Sequence, residues 1–360
     1  MGSTLDRALR LNTRRTGFGR ASMNFPFGIR YFAVEDTKES AVLNCLFSRW
    51  LIGLFLLTAG SLSVANPVWP SAPVHIVVPF PPGGSNDVIA RRLGERLSKA
   101  FGQPVVIENK GGGAGSIGAQ AVAISAADGY TFLFVSSSLA TASAVQKTPY
   151  DPATSFSAVA RVARAPFIIL TRQGFGPKTV AELIAYGKAN PGKINYGSAG
   201  PGDTTQMATE LFNETVGIQM TAVPYKGIAP AQLDLIAGRL DLIVTTMASV
   251  KGTAADQLPK LAFTGEAREP DMPQIPTVAE MGIPYAVDVW WGVFAPAALP
   301  IAIRDKMNRA INEILVEPDF VAFLKNAGAT AAPTTPAVFQ EILVKDVERW
   351  KIMAKRAGVQ

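Results

Sequence analysis

The sequence predicts an α/β fold built as two lobes of similar construction. Continuous apolar runs alternate with segments whose apolar residues recur at helical spacing, beginning with the strand HIVVPF at 75–80. The same order of strand, glycine-rich turn and helix returns in the second half, where Val216-Gly217 lines up with Phe101-Gly102. The alternation favours parallel strands joined by right-handed crossovers, and the repeat favours two sheets over one. We therefore expect each lobe to be a mostly parallel sheet flanked by helices.

The first 65 residues have the features of an export leader. Residues 51–65 form an apolar stretch behind Arg49 that ends in SVA (63–65), a small-x-small pattern accepted by signal peptidase. The stretch is too short for a membrane-spanning helix, which needs about 20 apolar residues. We therefore expect cleavage near Ala65 and an exported mature protein. Cys45, the single cysteine, would leave with the leader, so no thiol would remain for disulfides or catalysis.

The remaining chain is expected to divide between two lobes. We assign residues 66–168 plus 291–360 to lobe 1 and residues 169–290 to lobe 2. Two apolar strands, FIILTR (167–172) and VWWGVFAP (289–296), are flanked by proline, glycine and polar turns. These strands are the candidates for the two crossings between the lobes.

The charge distribution argues against nucleic acid as a partner. The formal net charge is +6, but residues 1–65 alone contain 8 basic and 4 acidic side chains. The rest of the chain is nearly neutral and has no basic run that could follow a phosphate backbone. We expect no nucleic-acid binding.

The residues that several kinds of enzyme require are missing. His75 is the only histidine, and without a second histidine or a G-x-S-x-G elbow neither a hydrolase triad nor a histidine metal site can be assembled. The G-x-G-x-x-G run at 113–118 matches the dinucleotide fingerprint, but serines 136–138 occupy the place of its acidic residue. We interpret the glycines as a turn that lets backbone approach a small ligand. No metal or organic cofactor is expected.

Two glycine-containing turns, at 82–87 and 198–204, each lead from a strand into a helix. The first N–H groups of a helix lack intrahelical acceptors and lie at the positive end of the helix dipole, so each turn can hold a carboxylate. If the lobes face each other, both turns open on one cleft, together with the hydroxyls of Ser116 and of serines 136–138. This arrangement predicts a receptor for a small organic anion.

Alternative roles are open for the charged residues of these turns. Asp87 and Asp203 could be ordinary helix caps, and Asp203 with Gln206 three residues later resembles a capping box. Lys226, after an apolar strand, could point into the cleft as a cation or be a solvated surface lysine.

Several long motifs follow one another in a fixed order from residue 71 onward: VVPFPPGGSNDVIARRLGERLSKAFGQPVVIENKGGGAGSIGAQAVA, DGYTFLFVSSS, TPYDPATSFSAVA, ANPGKINYGSAG, VPYKGIAPAQLDLIAGRLDL and PTVAEMG. With these motifs the chain closely resembles the tripartite tricarboxylate transporter substrate-binding proteins, also called the Bug family. The resemblance implies a periplasmic, two-lobed receptor of the type II, Venus-flytrap kind that delivers a small carboxylate to a tripartite membrane permease. A monomer is expected.

The resemblance also assigns a ligand site. Its loops match residues 80–87, 115–118, 136–138 and 198–205, where backbone amides, hydroxyls and waters would hold one ligand carboxylate. With the residues discussed above, the predicted ligand-binding set is Phe80, Pro81, Gly83, Gly84, Ser85, Asn86, Asp87, Ser116, Ser136, Ser137, Ser138, Ser198, Ala199, Gly200, Asp203, Thr204, Thr205, Tyr225, Lys226 and Thr245.

The chain departs from the family pattern mainly in the far lobe. Where Ser-Pro-Ser-His is common, this sequence has DTTQ at 203–206, and Thr245 and Asn86 stand where Asp and Thr are usual. We expect Asp203 to accept a ligand amine or hydroxyl, which favours an amino-acid-like or hydroxy-acid ligand over citrate. A ligand-loaded partner of a membrane kinase is an alternative function. An exported enzyme using the same cleft is another, with a carboxylate, Lys226 or His75 as general base.

Overall fold

The computed structural model describes residues 69–359. The predicted leader, with its apolar stretch and its cysteine, lies outside these residues. The chain divides after Ala65, and all described residues belong to the unit that runs from Asn66 to Gln360. Between residues 69 and 359, no helix has both the length and the apolar character needed to cross a membrane.

The first part of the chain alternates strands and helices as predicted. Its elements are β1 (Val74–Val78), α1 (Ser85–Phe101), β2 (Val105–Asn109), α2 (Ser116–Ala123), β3 (Thr131–Ser136), α3 (Ser138–Val145) and β4 (Phe156–Pro166). The strands are rich in β-branched and aromatic residues, which pack well on a pleated, buried surface. Helix α1 ends at Gly102, whose φ of 63° lies in the left-handed region that glycine adopts without strain.

The middle of the chain repeats this construction with shorter strands. Its elements are β5 (Ile168–Thr171), α4 (Val180–Ala189), β6 (Asn195–Ser198), α5 (Thr204–Val216), β7 (Thr221–Pro224), α6 (Ile228–Ile236), β8 (Leu242–Thr245), α7 (Met247–Val250) and β9 (Lys260–Phe263). Helix α5 also ends at a left-handed glycine, Gly217 with φ of 66°. The alignment of Gly102 with Gly217 therefore marks equivalent helix ends in the two repeats.

The C-terminal part returns to the first sheet with one long strand and three helices. Its elements are β10 (Asp288–Pro296), α8 (Ile301–Ile314), α9 (Pro318–Asn326), β11 (Thr330–Ala331) and α10 (Pro336–Arg356). Helix α10 carries Pro336 in its first turn and is capped by Thr335, whose hydroxyl accepts a hydrogen bond from the Val338 N–H.

The strands form two sheets, which define the two lobes. The six-stranded sheet of the first lobe has the order β11-β4-β10-β3-β1-β2, and the five-stranded sheet of the second lobe has the order β7-β6-β8-β5-β9. The two-lobed α/β class is confirmed. Both sheets are mixed, because strands β4 and β10 pair antiparallel with their neighbours, as does β5 in the second lobe. The parallel pairs lie around β1 and β6.

The two lobes are joined at Phe167 and again just before β10. The candidate strand at 167–172 lies almost wholly in the second sheet and the one at 289–296 in the first, so the crossings fall at their N-terminal ends. Thr264 connects the two crossings: its hydroxyl accepts from the Phe167 N–H at 2.8 Å and donates to the Val287 carbonyl at 2.6 Å. Thr264 is fully buried, so these bonds are shielded from water.

The first lobe is packed around β10, which lies between β3 and β4. Trp291 is fully buried there, and Phe294 stacks against Phe339 of α10 with ring centroids 4.8 Å apart. Burial of each such side chain contributes about 1.5–3 kcal/mol to folding. This core fixes the carboxyl ends of β1 and β3 in place, and open α/β sheets bind ligands at such strand ends.

Candidate functional site

The turn after β1 leads directly into helix α1. Gly84 occupies the N-cap position with extended backbone and, as glycine, has no side chain to cap the helix. Asp87 in the first helical turn accepts a hydrogen bond from the Gly83 N–H at 3.1 Å and another from the Asn109 amide at 2.9 Å. It also pairs with Arg91 at 2.8 Å. Asp87 therefore stabilises the conformation of the turn.

Asp87 is buried, and its pKa reflects these contacts. Burial alone raises the pKa of this carboxyl, but hydrogen bonds from Arg91, Asn109 and the Gly83 N–H outweigh it and leave the pKa lowered. The carboxylate is thus satisfied by the protein itself. This geometry matches a structural role for Asp87.

The equivalent turn of the second lobe leads from β6 into α5. Asp203 caps this helix: its Oδ1 accepts from the Thr205 N–H at 2.8 Å and from the Thr205 hydroxyl at 2.7 Å. The Gln206 side chain reaches back to the Gly202 N–H at 2.6 Å, one residue before the position that a capping box uses. The Ala199 N–H donates to the Thr205 hydroxyl at 2.9 Å. Several N–H groups of this turn are therefore already paired within the lobe.

Both turns open on one cavity between the lobes. The cavity is lined by apolar side chains, hydroxyls and backbone from both lobes: Phe80, Pro81, Gly84, Ser85, Asn86, Ser136, Phe167, Ala199, Asp203, Thr204, Thr205, Gly227, Ile228, Ala229, Thr245, Thr246, Ser249 and Val289. Concave, mostly apolar sites with a few placed polar groups are typical of small-ligand binding.

More than half of the predicted ligand-binding residues meet at this cavity. They come from four strand ends, two in each lobe: Phe80, Pro81, Gly84, Ser85, Asn86, Ser136, Ala199, Asp203, Thr204, Thr205 and Thr245. Gly200, Tyr225 and Lys226 line a second opening beside it, which shares Phe80 and Ala199 with the cavity. The argument that turns at strand ends converge between two facing lobes gave part of these sets, and the family resemblance gave Phe80, Pro81, Thr205 and Thr245.

The other predicted residues lie outside both openings. They are Gly83, Asp87, Ser116, Ser137, Ser138 and Ser198. Ser137 donates its N–H to the Trp290 carbonyl at 2.9 Å, which holds it in the first sheet. The Ser138 hydroxyl accepts from Ser136 at 3.0 Å, so it orients a cavity residue without lining the cavity.

The last glycine of the G-x-G-x-x-G run, Gly118, is required for close packing. A Cβ atom on Gly118 would lie 2.6 Å from the Lys110 carbonyl oxygen and 2.8 Å from the Pro79 Cα. Only glycine lets helix α2 pack this closely on the chain after β1. The expected approach to a ligand fits Gly115 better, since it lines the second opening. His75 lies on β1 and pairs with Glu108 on the neighbouring strand β2. Its Nδ1 atom is 2.5 Å from the Glu108 Oε1 atom.

Sequence reasoning missed seven of the residues that line the cavity: Phe167, Gly227, Ile228, Ala229, Thr246, Ser249 and Val289. Phe167 and Val289 lie beside the crossings, and any crossing between lobes borders the cleft. Thr246 and Ser249 follow β8 on a helix of one turn that the sequence pattern did not single out.

Close contacts between the lobes surround the cavity, so the structure is a closed form. The Ser85 N–H of the first lobe donates to the Ser249 hydroxyl of the second at 3.0 Å. A Cβ atom on Gly227 would lie 2.9 Å from Pro81, and one on Gly202 would lie 3.2 Å from the Ala142 Cα. Glycine at 202 and 227 therefore allows the lobes to meet.

The family of the protein follows from comparison with known sequences. The model of the tripartite tricarboxylate transporter family receptor matches residues 89–359. The chain belongs to this family. The resemblance stated from the sequence motifs is thereby confirmed. Protein BugT of Bordetella pertussis (strain Tohama I) is 34% identical to this receptor over 316 residues, which cover 86% of this chain and 97% of BugT.

Solved structures show the same architecture as this family receptor. An R. palustris protein solved with adipate has a TM-score of 0.77 and 36% identity, covering 81% of this chain and 98% of its own. The periplasmic binding protein BugD has a TM-score of 0.77 and 34% identity, with 81% and 99% covered. MatC from Rhodopseudomonas palustris, solved with bound malate, has a TM-score of 0.75 and 30% identity, with 79% and 99% covered.

Proposed function

We propose that this receptor captures a small organic acid in the cavity between its lobes and delivers it to a tripartite tricarboxylate-type permease. One observation carries the proposal: the helix-leading turns of both lobes line a single cavity between them. The helix dipoles at these two helix starts and the hydroxyls that line the cavity favour a carboxylate there. Family membership and the adipate and malate of the two similar structures support the ligand class.

The proposal places a monomeric receptor in the periplasm and gives it no catalytic role. The ligand would lie between the start of α1 in the first lobe and the start of α5 in the second. Charge-assisted hydrogen bonds of this kind contribute about 1.5–3 kcal/mol each. Three or four of them near the upper end of this range, set against an association cost of about 4 kcal/mol, give millimolar to micromolar affinity before closure adds to it.

Calorimetry with the mature protein tests this function. The panel contains adipate, citrate and two series of matched acids: succinate, malate and aspartate, and glutarate, 2-hydroxyglutarate and glutamate. We expect at least one panel acid to bind with micromolar to millimolar affinity. Native mass spectrometry of protein purified from its host should show a retained small acid.

A matched pair of variants on helix α6 localises the binding. Ala229 lines the cavity, whereas Ala237, just after the same helix, is exposed. Ala229→Trp fills the cavity and should abolish binding, while Ala237→Trp should bind as the wild type does. Equal binding by Ala229→Trp and the wild type, with both proteins folded by circular dichroism, would refute the proposed site.

A further inference from the structure

The charged side chains that line the cavity bear on the kind of ligand it can hold. Among the described residues that line it, Asp203 is the only one with an ionisable side chain. Within residues 69–359, the lining of this cavity includes no lysine, arginine or histidine, and Lys226 lines only the second opening. A ligand that carries only negative charge would therefore meet a buried carboxyl group and no cationic side chain among these lining residues.

Asp203 is enclosed and has no cationic partner within the described part of the chain. Its side chain is 3% exposed, and its hydrogen bonds come from neutral donors, the N–H groups of Thr204 and Thr205 and the Thr205 hydroxyl. Burial raises the pKa of Asp203, while these hydrogen bonds lower it. A carboxyl group in such a place gains from any cation that enters the cavity.

A second acceptor lies in the opposite lobe. Asn86, in the first turn of α1, lines the cavity and is 8% exposed, and its Oδ1 atom is buried with no hydrogen-bond partner. Buried side-chain oxygens are nearly always paired, so a ligand in the cavity that donates to this atom would satisfy it. An ammonium group offers three donors and no acceptor.

We propose that the ligand is a zwitterionic amino acid, whose ammonium group is held by Asp203 and Asn86 and whose carboxylate is held by the remaining amides and hydroxyls. This inference rests on the proposed function, because it places the ligand in the same cavity. The two lobes each contribute one acceptor, so the ammonium group would bridge them and favour closure. A hydroxy acid has one hydrogen-bond donor and no positive charge at the same carbon. An acid without an amine or hydroxyl has no donor and no positive charge there.

The matched series of the calorimetric panel test this directly. Aspartate, malate and succinate differ only in the amine, hydroxyl or hydrogen at one carbon, as do glutamate, 2-hydroxyglutarate and glutarate. In at least one series the amino acid should bind wild-type protein at least tenfold more tightly than the plain acid. Asp203→Asn should reduce this ratio to near one, by weakening the amino acid and strengthening the plain acid.

Asp203→Asn keeps an oxygen that can cap α5, and its melting temperature checks that the helix is intact. Asn86→Ala provides a second variant and should also lower the ratio. Asp241→Asn is the control, because Asp241 pairs with Arg172 at 3.0 Å in the second lobe, does not line the cavity and should leave the ratio unchanged.

The outcomes separate the two proposals. If no panel acid binds, the proposed function fails. If acids bind but the hydroxy acid or plain acid equals or exceeds the amino acid in both series, the amino-acid inference is overturned and the receptor function stands. An amino-acid preference that Asp203→Asn and Asn86→Ala both leave intact also overturns it.

Discussion

The main-chain N–H of Ser85 in the first lobe donates a hydrogen bond of 3.0 Å to the hydroxyl of Ser249 in the second lobe. Ser85 is the first residue of α1, and Gly84 before it has no side chain to cap the helix. The first N–H groups of a helix need acceptors from outside it. In the closed form, the second lobe therefore supplies a cap that the first lobe lacks.

Removal of the Ser249 hydroxyl should weaken ligand binding by favouring the open form. A neutral hydrogen bond contributes about 0.5–1.5 kcal/mol, so Ser249→Ala should lower the affinity for the tightest panel acid by about 2- to 12-fold. Calorimetry measures this. Ser143→Ala is the control, since the Ser143 hydroxyl donates to the Ala140 carbonyl within α3 and does not line the cavity. Equal losses in the two variants would show that the contact between lobes has no special role.

A side chain at position 202 should obstruct closure. Gly202 has φ of 80°, and a Cβ atom there would lie 3.1 Å from Val145 and 3.2 Å from the Ala142 Cα in the opposite lobe. Gly238 has φ of 75° with nothing within 4 Å of its Cβ position, so Gly238→Ala carries the backbone strain alone. We expect Gly202→Ala to lower affinity for the tightest panel acid at least fivefold relative to Gly238→Ala. Similar affinities in the two variants would contradict this reading of the contact.

Asp203 should make the protein less stable as the pH rises. Because burial raises the pKa of Asp203 above its ordinary value, the folded protein binds this proton more tightly than the unfolded chain. The contribution of Asp203 to stability is therefore complete below its ordinary pKa, and it is lost as the pH rises through the raised pKa. In Asp203→Asn, the free energy of unfolding from urea titrations should fall less steeply with pH above 4 than in the wild type. Parallel pH profiles would exclude this contribution.

Thr264→Val should destabilise the junction between the lobes. The valine matches threonine in shape but leaves the Phe167 N–H without its 2.8 Å acceptor at a fully buried position. An unpaired buried N–H costs about 1–3 kcal/mol, which urea denaturation should detect. Thr215→Val is the control, because the Thr215 hydroxyl donates to the carbonyl of Leu211 four residues earlier in α5. No difference in unfolding free energy between the two variants would refute the role of Thr264.

The fold class and the two site turns were predictable because their signals are local. Continuous apolar strands, followed by glycine-rich turns and helical spacing, identify the pieces around residues 75–101 and 195–217. Placement of Asp203 at a helix start was also predictable, but its dual position as cap and cavity residue required the packed structure. The sequence allowed either role, and in the structure the same carboxyl both caps α5 and lines the cavity.

The contacts between the lobes could not be predicted from the sequence. Ser249 is separated from Ser85 by 164 positions, and no pattern of periodicity connects a one-turn helix to a distant helix start. Which strands pair antiparallel could not be predicted for a related reason. The apolar pattern of a strand such as β10 does not indicate whether it runs parallel or antiparallel to its neighbours. Its antiparallel orientation follows only from its pairing with β3 and β4.

Phe167 both lines the cavity and donates its N–H to Thr264, which also holds the second crossing. Under the proposed function, a bound molecule would therefore lie against the junction between the lobes. The size of the ligand at this point would determine the angle between the two lobes in the closed form. A permease that binds only one closed conformation would then select among ligands by this angle, without contacting the ligand itself.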